Sequence, residues 1–125
     1  MRLLDTAVAV DHLRGVPAAT ELLTSLIAGG DELAASELVR FELVAGVHDE
    51  ELAALEDFFI AVAWAPVTGA VARRAGELAR RYRRSHSGID DVDYLIAATA
   101  LELDAGLLTT NVRHFPMLPG LEPAY

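Results

Sequence analysis

Residues 90–111 read DDVDYLIAATALELDAGLLTTN, and the order of residue types in this stretch predicts a helix followed by a strand. Asp90 or Asp91 is suited to cap a helix that is almost entirely apolar and that runs through Asp104. Gly106 ends this helix, and the apolar residues at 107–109 predict a short buried strand. Such a helix placed directly before such a strand is typical of a domain built on a parallel sheet.

The same alternation extends over the rest of the chain. Strands are predicted at residues 2–5, 32–35, 61–67 and 107–109, with a further edge strand near Leu121. Helices are predicted at residues 6–14, 17–29, 36–46, 49–59, 68–84 and 90–104, with Ser36 and Asp49 as caps of the third and fourth. With 125 residues and no internal repeat, the chain is expected to form one α/β domain over residues 1–125, whose central, mostly parallel sheet is covered on both faces.

The composition excludes several classes of protein. Hydrophobic residues make up 53% of the chain, which excludes global disorder. The absence of cysteine excludes a disulfide scaffold, a thiol nucleophile and cysteine-ligated zinc or iron–sulfur sites. The absence of lysine excludes Schiff-base chemistry and a P-loop. The chain reaches Asp5 before any apolar stretch develops, and the apolar run at residues 60–67 is too short to span a bilayer, so a cytoplasmic protein with no membrane partner is expected.

Charge is unevenly distributed along this acidic chain, whose net charge is −9. Residues 73–84 contain six arginines and one glutamate, a net charge of +5, whereas the remainder carries −14. On a helical wheel these arginines occupy one half and apolar residues the other. Two interpretations stay open: a solvated helix face, or a track for RNA phosphates. The arginines proposed for the track are Arg73, Arg80, Arg81 and Arg84.

Acidic side chains are predicted to converge where the strands end. Ligands of parallel sheets bind at the carboxyl ends of the strands, which places Asp5, Ser36 and Asn111 at one edge. Glu42 lies close to the apolar face of its helix, and Asp93 opens the helix at 90–104. Carboxylates grouped in this way suit Mg²⁺ or Mn²⁺ and metal-assisted hydrolysis of a phosphodiester.

Each of these acids also has a purely structural interpretation. Asp5 is suited to cap the first helix, and Asp93 is a first-turn acid that the helix dipole favours. Glu42 could form a salt bridge. Thr6 and Thr109 could orient a carboxylate or a water, or could serve only capping and packing.

Four segments together resemble PIN domains, and more narrowly the VapC toxins of bacterial toxin–antitoxin pairs. They are Leu4-Asp5-Thr6, the helix SELVRFELVAG at residues 36–46, DYLIAAT at residues 93–99, and LTTNVRHF at residues 108–115. The resemblance covers essentially the whole chain. It implies a three-layer α/β/α domain, an Mg²⁺-dependent endoribonuclease in which Mn²⁺ can substitute, a homodimer, and a cognate VapB-type antitoxin.

The family pattern also assigns roles to residues of this chain. Asp5, Glu42 and Asp93 match three of its acidic positions and are implied as catalytic and metal-binding residues. Asn111 matches the fourth position, where the family often has Asp. Because an amide carries no charge, we expect one well-occupied ion held mainly by Asp5 and Asp93, with Glu42 acting through water or on a transient second ion and Asn111 orienting a water.

Two other functions compete with this interpretation. A phospho-acceptor receiver domain has a similar length and clustered aspartates, but it requires a lysine that this chain lacks. A catalytically weakened PIN-like module that acts mainly through protein binding remains an alternative because of Asn111. We expect structural and not functional roles for two further residues, with His114 on the surface and Trp64 in the core.

Overall fold

The computed structural model describes residues 1–125 and contains a four-stranded sheet and six α-helices. The strands are β1 (Arg2–Leu4), β2 (Leu33–Ser36), β3 (Ala63–Ala65) and β4 (Gly106–Leu108). The helices are α1 (Thr6–Leu13), α2 (Pro17–Ala28), α3 (Glu37–Gly46), α4 (Leu52–Ala61), α5 (Gly69–Tyr82) and α6 (Asp91–Leu103). Short 3-10 turns cover Asp49–Glu51 and Val112–His114.

All strand pairs are parallel, and the strand order is β3-β2-β1-β4. In the register, Leu4 pairs with Ala35 on one side and with Leu108 on the other. Because neighbouring parallel strands end at the same edge, the residues that follow Leu4 and Leu108 meet there. The predicted α/β fold with a parallel sheet is confirmed.

The apolar helix α6 forms much of the core. Six of its residues are buried, from Tyr94 to Ala100. It packs most extensively on α5, where Ala75 and Ala79 are buried. Small side chains on both helices let the two backbones approach closely. This contact places α5 along α6, with the C-terminal end of α5 beside the N-terminal end of α6.

Several helix starts agree with the caps expected from the sequence. Ser36 Oγ accepts a hydrogen bond from the backbone N–H of Leu38 at 3.1 Å. Asp90 Oδ1 accepts from the N–H of Asp93, and the N–H of Asp90 donates to Asp93 Oδ2, which forms a capping box. The prediction that Asp49 caps the fourth helix is wrong. Asp49 lies inside a 3-10 turn that begins after His48, whose N–H donates to Glu51 Oε1 at 3.0 Å, and α4 starts only at Leu52.

No strand forms near Leu121, so the edge strand predicted there is wrong. Pro119 and Pro123 lack the N–H that a strand needs, and Gly120 turns the chain with a φ of +78°. The segment makes a single backbone hydrogen bond to the end of β4, from Ala124 N to Thr109 O at 2.8 Å.

Trp64 is less buried than the sequence suggests. It lies on β3, an edge strand, and only part of its indole is covered. The indole N–H donates to Phe59 O at 2.9 Å, and the guanidinium of Arg40 lies 4.2 Å from the ring centroid. Trp64 is therefore stacked under a surface arginine. None of the helices combines the length and the apolarity that a transmembrane span requires.

Candidate active site

The carboxylate of Asp5 lies at the carboxyl edge of the sheet, where β1 and β4 end. The N–H of Asp5 donates to Leu108 O at 2.9 Å, which extends the ladder by one residue. One carboxylate oxygen accepts the N–H of Thr6 at 2.8 Å and caps α1. The other accepts the hydroxyl of Thr109 at 2.7 Å. The side chain therefore has a defined orientation, and Asp5 is only 5% exposed.

Burial makes the charged form of Asp5 unfavourable. Desolvation raises the pKa of this carboxyl, while the Thr109 hydroxyl, the Thr6 N–H and the nearby His114 act in the opposite direction. A further contribution that raises the pKa comes from the negative charge of Asp90. A positive ion at this edge of the sheet would lower the pKa of Asp5 and so oppose the effect of burial.

Asp93 is the second carboxylate of the site. Its position in the first turn of α6 directs the side chain toward the sheet edge, and 13% of the side chain is exposed. Burial raises its pKa to about 6, and the charges of Asp90 and Asp5 contribute in the same direction. The influence of Asp5 on Asp93 indicates that the two carboxylates are electrostatic neighbours.

His114 lies at the mouth of the site, beside Asp93. Its ring is 48% exposed, as the sequence suggests, but Nδ1 is 3.4 Å from Asp93 Oδ2. Protonated His114 therefore supplies a positive charge next to the acidic pair, and it lowers the pKa of both Asp5 and Asp93. The sequence signal that could have found this contact is its position three residues after Asn111.

Glu42 joins the site through a threonine. Its Oε1 accepts the hydroxyl of Thr6 at 2.8 Å, and Thr6 directly follows Asp5. No group of three His, Asp or Glu side chains in the chain is arranged to hold a metal. The structure thus places Asp5 and Asp93 within electrostatic reach of each other and joins Glu42 to Thr6, the residue after Asp5, by one hydrogen bond.

Asn111 stands at the rim of the site and is exposed. Its N–H donates to Thr109 Oγ1 at 3.0 Å, so this hydroxyl accepts from Asn111 while it donates to Asp5. Asn111 therefore helps to orient the Thr109 hydroxyl through its backbone, independently of its side chain. This role does not depend on whether residue 111 is Asn or Asp.

The donor set of the site fits a hydrated divalent cation. Two desolvated carboxylates supply hard oxygen ligands and negative charge, and Mg²⁺ is typically bound by one or two carboxylates with several waters retained. Burial raises the pKa of both carboxyls, and a cation bound to them would favour their charged form. Asp5 and Asp93 would hold such an ion.

The six arginines at residues 73–84 differ in whether they form salt bridges. Arg74 pairs with Glu102 at 3.0 Å and Arg83 with Asp91 at 2.7 Å. Both acids lie on α6, so these two pairs connect the helices. The four remaining arginines are exposed and form no salt bridge: Arg73, Arg80, Arg81 and Arg84. They are the same four that the sequence indicates for RNA.

Two of the unpaired arginines, Arg80 and Arg84, border a depression whose lining contains no acid. It has a volume of about 540 Å³ and is lined by Gly76, Ala79, Arg80, Arg83 and Arg84. Since Arg83 binds Asp91, the first residue of α6, this depression lies beside the N-terminal end of α6.

The structure also contains an apolar groove beside Glu42, whose lining residues the sequence analysis did not identify. It has a volume of about 90 Å³ and lies between α1 and α3. Its lining residues are Val10, Leu13, Arg14, Glu42, Leu43, Gly46, Val47 and Glu51. Phe41 and Val44 of α3 are exposed, at 68% and 54%. These apolar residues on the outer face of α3 are the feature of the sequence that could have indicated an apolar surface here.

Comparison with known proteins places these features in context. A family model described as PIN domain matches residues 2–119. Ribonuclease VapC19 of Mycobacterium tuberculosis (strain H37Rv) is 70% identical over 125 residues, the full length of both chains. Ribonuclease VapC10 of the same strain is 44% identical over 125 residues, which are 100% of this chain and 93% of that protein.

A solved structure shares the fold. VapBC2 from Rickettsia felis, bound to a DNA fragment from their promoter, superposes with a TM-score of 0.82. The match covers 96% of this chain and 94% of that chain at 24% identity, so it concerns the fold alone. The three-layer α/β/α architecture is confirmed.

The pKa of Asp93 leads to a prediction about stability. In metal-free buffer, the free energy of unfolding relative to that of Asp93→Asn is expected to fall as the pH rises from about 4 to about 7. The folded-state pKa of about 6 lies above the ordinary value of 3.8, so over this interval the folded protein retains a proton that the unfolded chain has released. Urea unfolding in EDTA at both ends of the interval measures the difference.

Asp57→Asn is the matched control, because Asp57 is exposed on α4. Its effect on stability should not change with pH over the same interval. A difference between the protein and Asp93→Asn that stays constant with pH would contradict the raised pKa.

Proposed function

The chain belongs to the PIN-domain family, and from this premise we propose that it is an endoribonuclease toxin of the VapC type that a cognate antitoxin neutralises. The observation that carries the proposal is the pair of desolvated carboxylates, Asp5 and Asp93, at the sheet edge of a chain that is 70% identical to a ribonuclease over its full length. The reaction is hydrolysis of a phosphodiester bond in RNA. The proposal places the protein in the cytoplasm, where its substrate is found.

Asp5 and Asp93 hold a divalent cation, Mg²⁺ or Mn²⁺, in this proposal. When bound, such an ion supplies positive charge that favours deprotonation of a water and offsets charge developing on the phosphate. The protein's own groups keep the ligands in place. The Thr109 hydroxyl and the Thr6 N–H each bind one oxygen of Asp5, so this carboxylate cannot rotate freely.

Glu42 and Asn111 have secondary roles in the same proposal. Glu42 is held by the Thr6 hydroxyl at 2.8 Å, one residue from Asp5, where it can accept a proton from a water. Asn111 is exposed at the rim and carries no charge, so its amide orients a water. With two close carboxylates and no third, the site favours one well-occupied ion.

In this proposal, RNA is bound by the unpaired arginines of α5 and of the turn that follows it. Arg73, Arg80, Arg81 and Arg84 carry charges that no acid of the protein neutralises directly, in a chain whose net charge is otherwise negative. Arg80 and Arg84 also line the depression beside the N-terminal end of α6. Phosphates bound there would place the adjacent backbone near the acidic site, since electrostatic contacts position nucleic acid without reading its sequence.

The partner proposed for the groove is an antitoxin of the VapB type. An apolar side chain of this partner fills the groove between α1 and α3, and an Arg or Lys reaches Glu42 at its edge and the acids Asp5 and Asp93 beyond. A cationic side chain there would compensate the desolvated carboxylates in place of the metal ion. We also propose a homodimer, which light scattering of the purified protein would test.

The metal ligands are tested by substitution. Asp5→Asn and Asp93→Asn should each lower RNA cleavage by more than about a hundredfold, because even groups that only orient metal ligands contribute about 10- to 100-fold. EDTA should have the same effect on the unaltered protein. Asn111→Ala should lower cleavage less than Asp93→Asn, and Asp57→Asn should not change it. Full cleavage in EDTA, or in either aspartate variant, would refute the metal mechanism, whereas no cleavage by the unaltered protein with Mg²⁺ or Mn²⁺ would favour the catalytically weakened module.

The arginine surface is tested by RNA binding. Replacing Arg80, Arg81 and Arg84 with Gln should raise KM, leave kcat nearly unchanged, and reduce the slope of log affinity against log salt by about 2, since each phosphate contact on single strands contributes about 0.7. Arg74→Gln is the matched control, because Arg74 is on the same helix but is bound to Glu102. Unchanged affinity and slope in the triple variant would favour a solvated face.

The groove is tested by filling it. Gly46 lines the groove, and a Cβ built there meets no atom within 4 Å. Gly46→Leu should therefore fold normally, preserve RNA cleavage, and weaken antitoxin binding at least about tenfold by occupying its pocket. Co-purification and growth after co-expression with the neighbouring reading frame measure the effect. Gly69→Leu, at the start of α5, is the control. Equal suppression of toxicity in both variants would place the antitoxin elsewhere.

A further inference from the structure

Leu121 and Ala124 of the segment 121–125 pack against the hydrophobic core, and two hydrogen bonds join the far end of the segment to the rest of the protein. Ala124 N donates to Thr109 O at 2.8 Å, and the hydroxyl of Tyr125 donates to Asp11 Oδ2 at 2.6 Å. Between these contacts and β4 the segment leaves a space of about 350 Å³, so it does not pair along the strand. The segment is held at defined points and not by continuous sheet pairing.

The two attachment points belong to the elements that hold Asp5. Asp11 lies on α1, the helix that Asp5 caps. Thr109 is the residue whose hydroxyl binds Asp5 at 2.7 Å, and it is fully buried. Thr109 therefore contacts the site through its side chain and the 121–125 segment through its carbonyl.

Both contacts have the features of persistent hydrogen bonds. Partial burial and the Asp11 carboxylate raise the pKa of Tyr125, so its hydroxyl remains a donor over the physiological range. A bond to a charged acceptor is also stronger than a neutral one. Pro119 and Pro123 limit the conformations open to the unattached segment and reduce the entropy lost when it docks.

We propose that the 121–125 segment is a positioning element for the metal site: by bridging Asp11 and the Thr109 carbonyl it holds the Thr109 hydroxyl on Asp5. The inference rests on the proposed ribonuclease function and adds residues that neither the acidic pattern nor the arginine helix indicates. Neither Ala124 nor Tyr125 touches the carboxylates. A shift of a few tenths of an ångström at Thr109 weakens a hydrogen bond of this length, and the Asp5 carboxylate then loses one of its two restraints.

The experiment removes the Ala124 N–H by Ala124→Pro, with Ala124→Ser as the variant that retains it. Ala124→Pro should lower kcat and the affinity for Mn²⁺, measured by calorimetry, by about five- to tenfold, the effect of one lost hydrogen bond. KM for RNA should stay within about twofold, because the arginine surface is unaltered. Ala124→Ser should behave like the unaltered protein. Tyr125→Phe, which keeps the backbone unchanged, should show a smaller loss in the same two quantities.

A double-variant cycle separates positioning from general loss of stability. In a Thr109→Val background the hydroxyl is absent, so Ala124→Pro should lower Mn²⁺ affinity little further. The inference is overturned if Ala124→Pro and Tyr125→Phe both retain the kcat and Mn²⁺ affinity of the unaltered protein, or if Ala124→Pro has the same effect in both backgrounds. Failure of the unaltered protein to cleave RNA or bind Mn²⁺ would instead overturn the proposed function.

Discussion

The buried carboxylate of Asp5 is the group on which the site depends most. It occupies the point where β1 ends, α1 begins and β4 delivers Thr109, and each of its oxygens accepts one hydrogen bond from these elements. Burying a carboxylate is unfavourable unless its charge is compensated, and the raised pKa of Asp5 shows that the two hydrogen bonds do not compensate it fully. The fold therefore retains an electrostatic penalty at a position where a cation can remove it.

Structural and functional roles coincide in this site. Asp5 caps α1, and Asp93 completes the capping box of α6. Helix N-termini present unpaired N–H groups and a positive dipole end, so they orient carboxylates as well as stabilising the helix. The structural interpretation of Asp5 and Asp93 is therefore correct and does not exclude a role toward a metal ion, whereas Glu42 accepts a hydrogen bond from Thr6 in place of the salt bridge expected for it. A carboxylate that caps a helix is held in a fixed orientation, so its remaining lone pairs are already oriented to bind an ion.

The distribution of charge follows from the packing of α5 on α6. Arg74 of α5 pairs with Glu102 of α6, and Arg83, directly after α5, pairs with Asp91 of α6. These pairs are exposed and add little stability individually, but they lie at either end of a tight interface of small residues. The unpaired arginines at the C-terminal end of α5 are thereby held beside the N-terminal end of α6, where Asp93 lies. A strongly basic surface and a strongly acidic site become neighbours although they are distant from each other along much of the sequence.

The sequence alone determined the architecture and indicated candidate residues for the site. Apolar periodicity and helix caps were sufficient for the order of strands and helices, because a short apolar strand between amphipathic helices has few alternatives to a parallel sheet. The alternation did not exclude a strand at Leu121. The pattern of apolar residues does not indicate whether a segment can form the hydrogen bonds of a sheet, and here two prolines and a glycine in a turn prevent them. Asp5 and Asp93 were identified because carboxylates next to apolar segments require a reason, and in the structure they are neighbours.

Only the tertiary structure decided how the members of the site are connected. It showed that Glu42 reaches the site through Thr6, that His114 lies on Asp93, and that two of six arginines are engaged by acids. It also linked Tyr125 to Asp11 across 114 positions of sequence. The physical reason is that hydrogen bonds and desolvation depend on distances of a few ångströms between elements. Such distances are set by the packing of the sheet edge and its helices, which residue spacing along the chain does not encode.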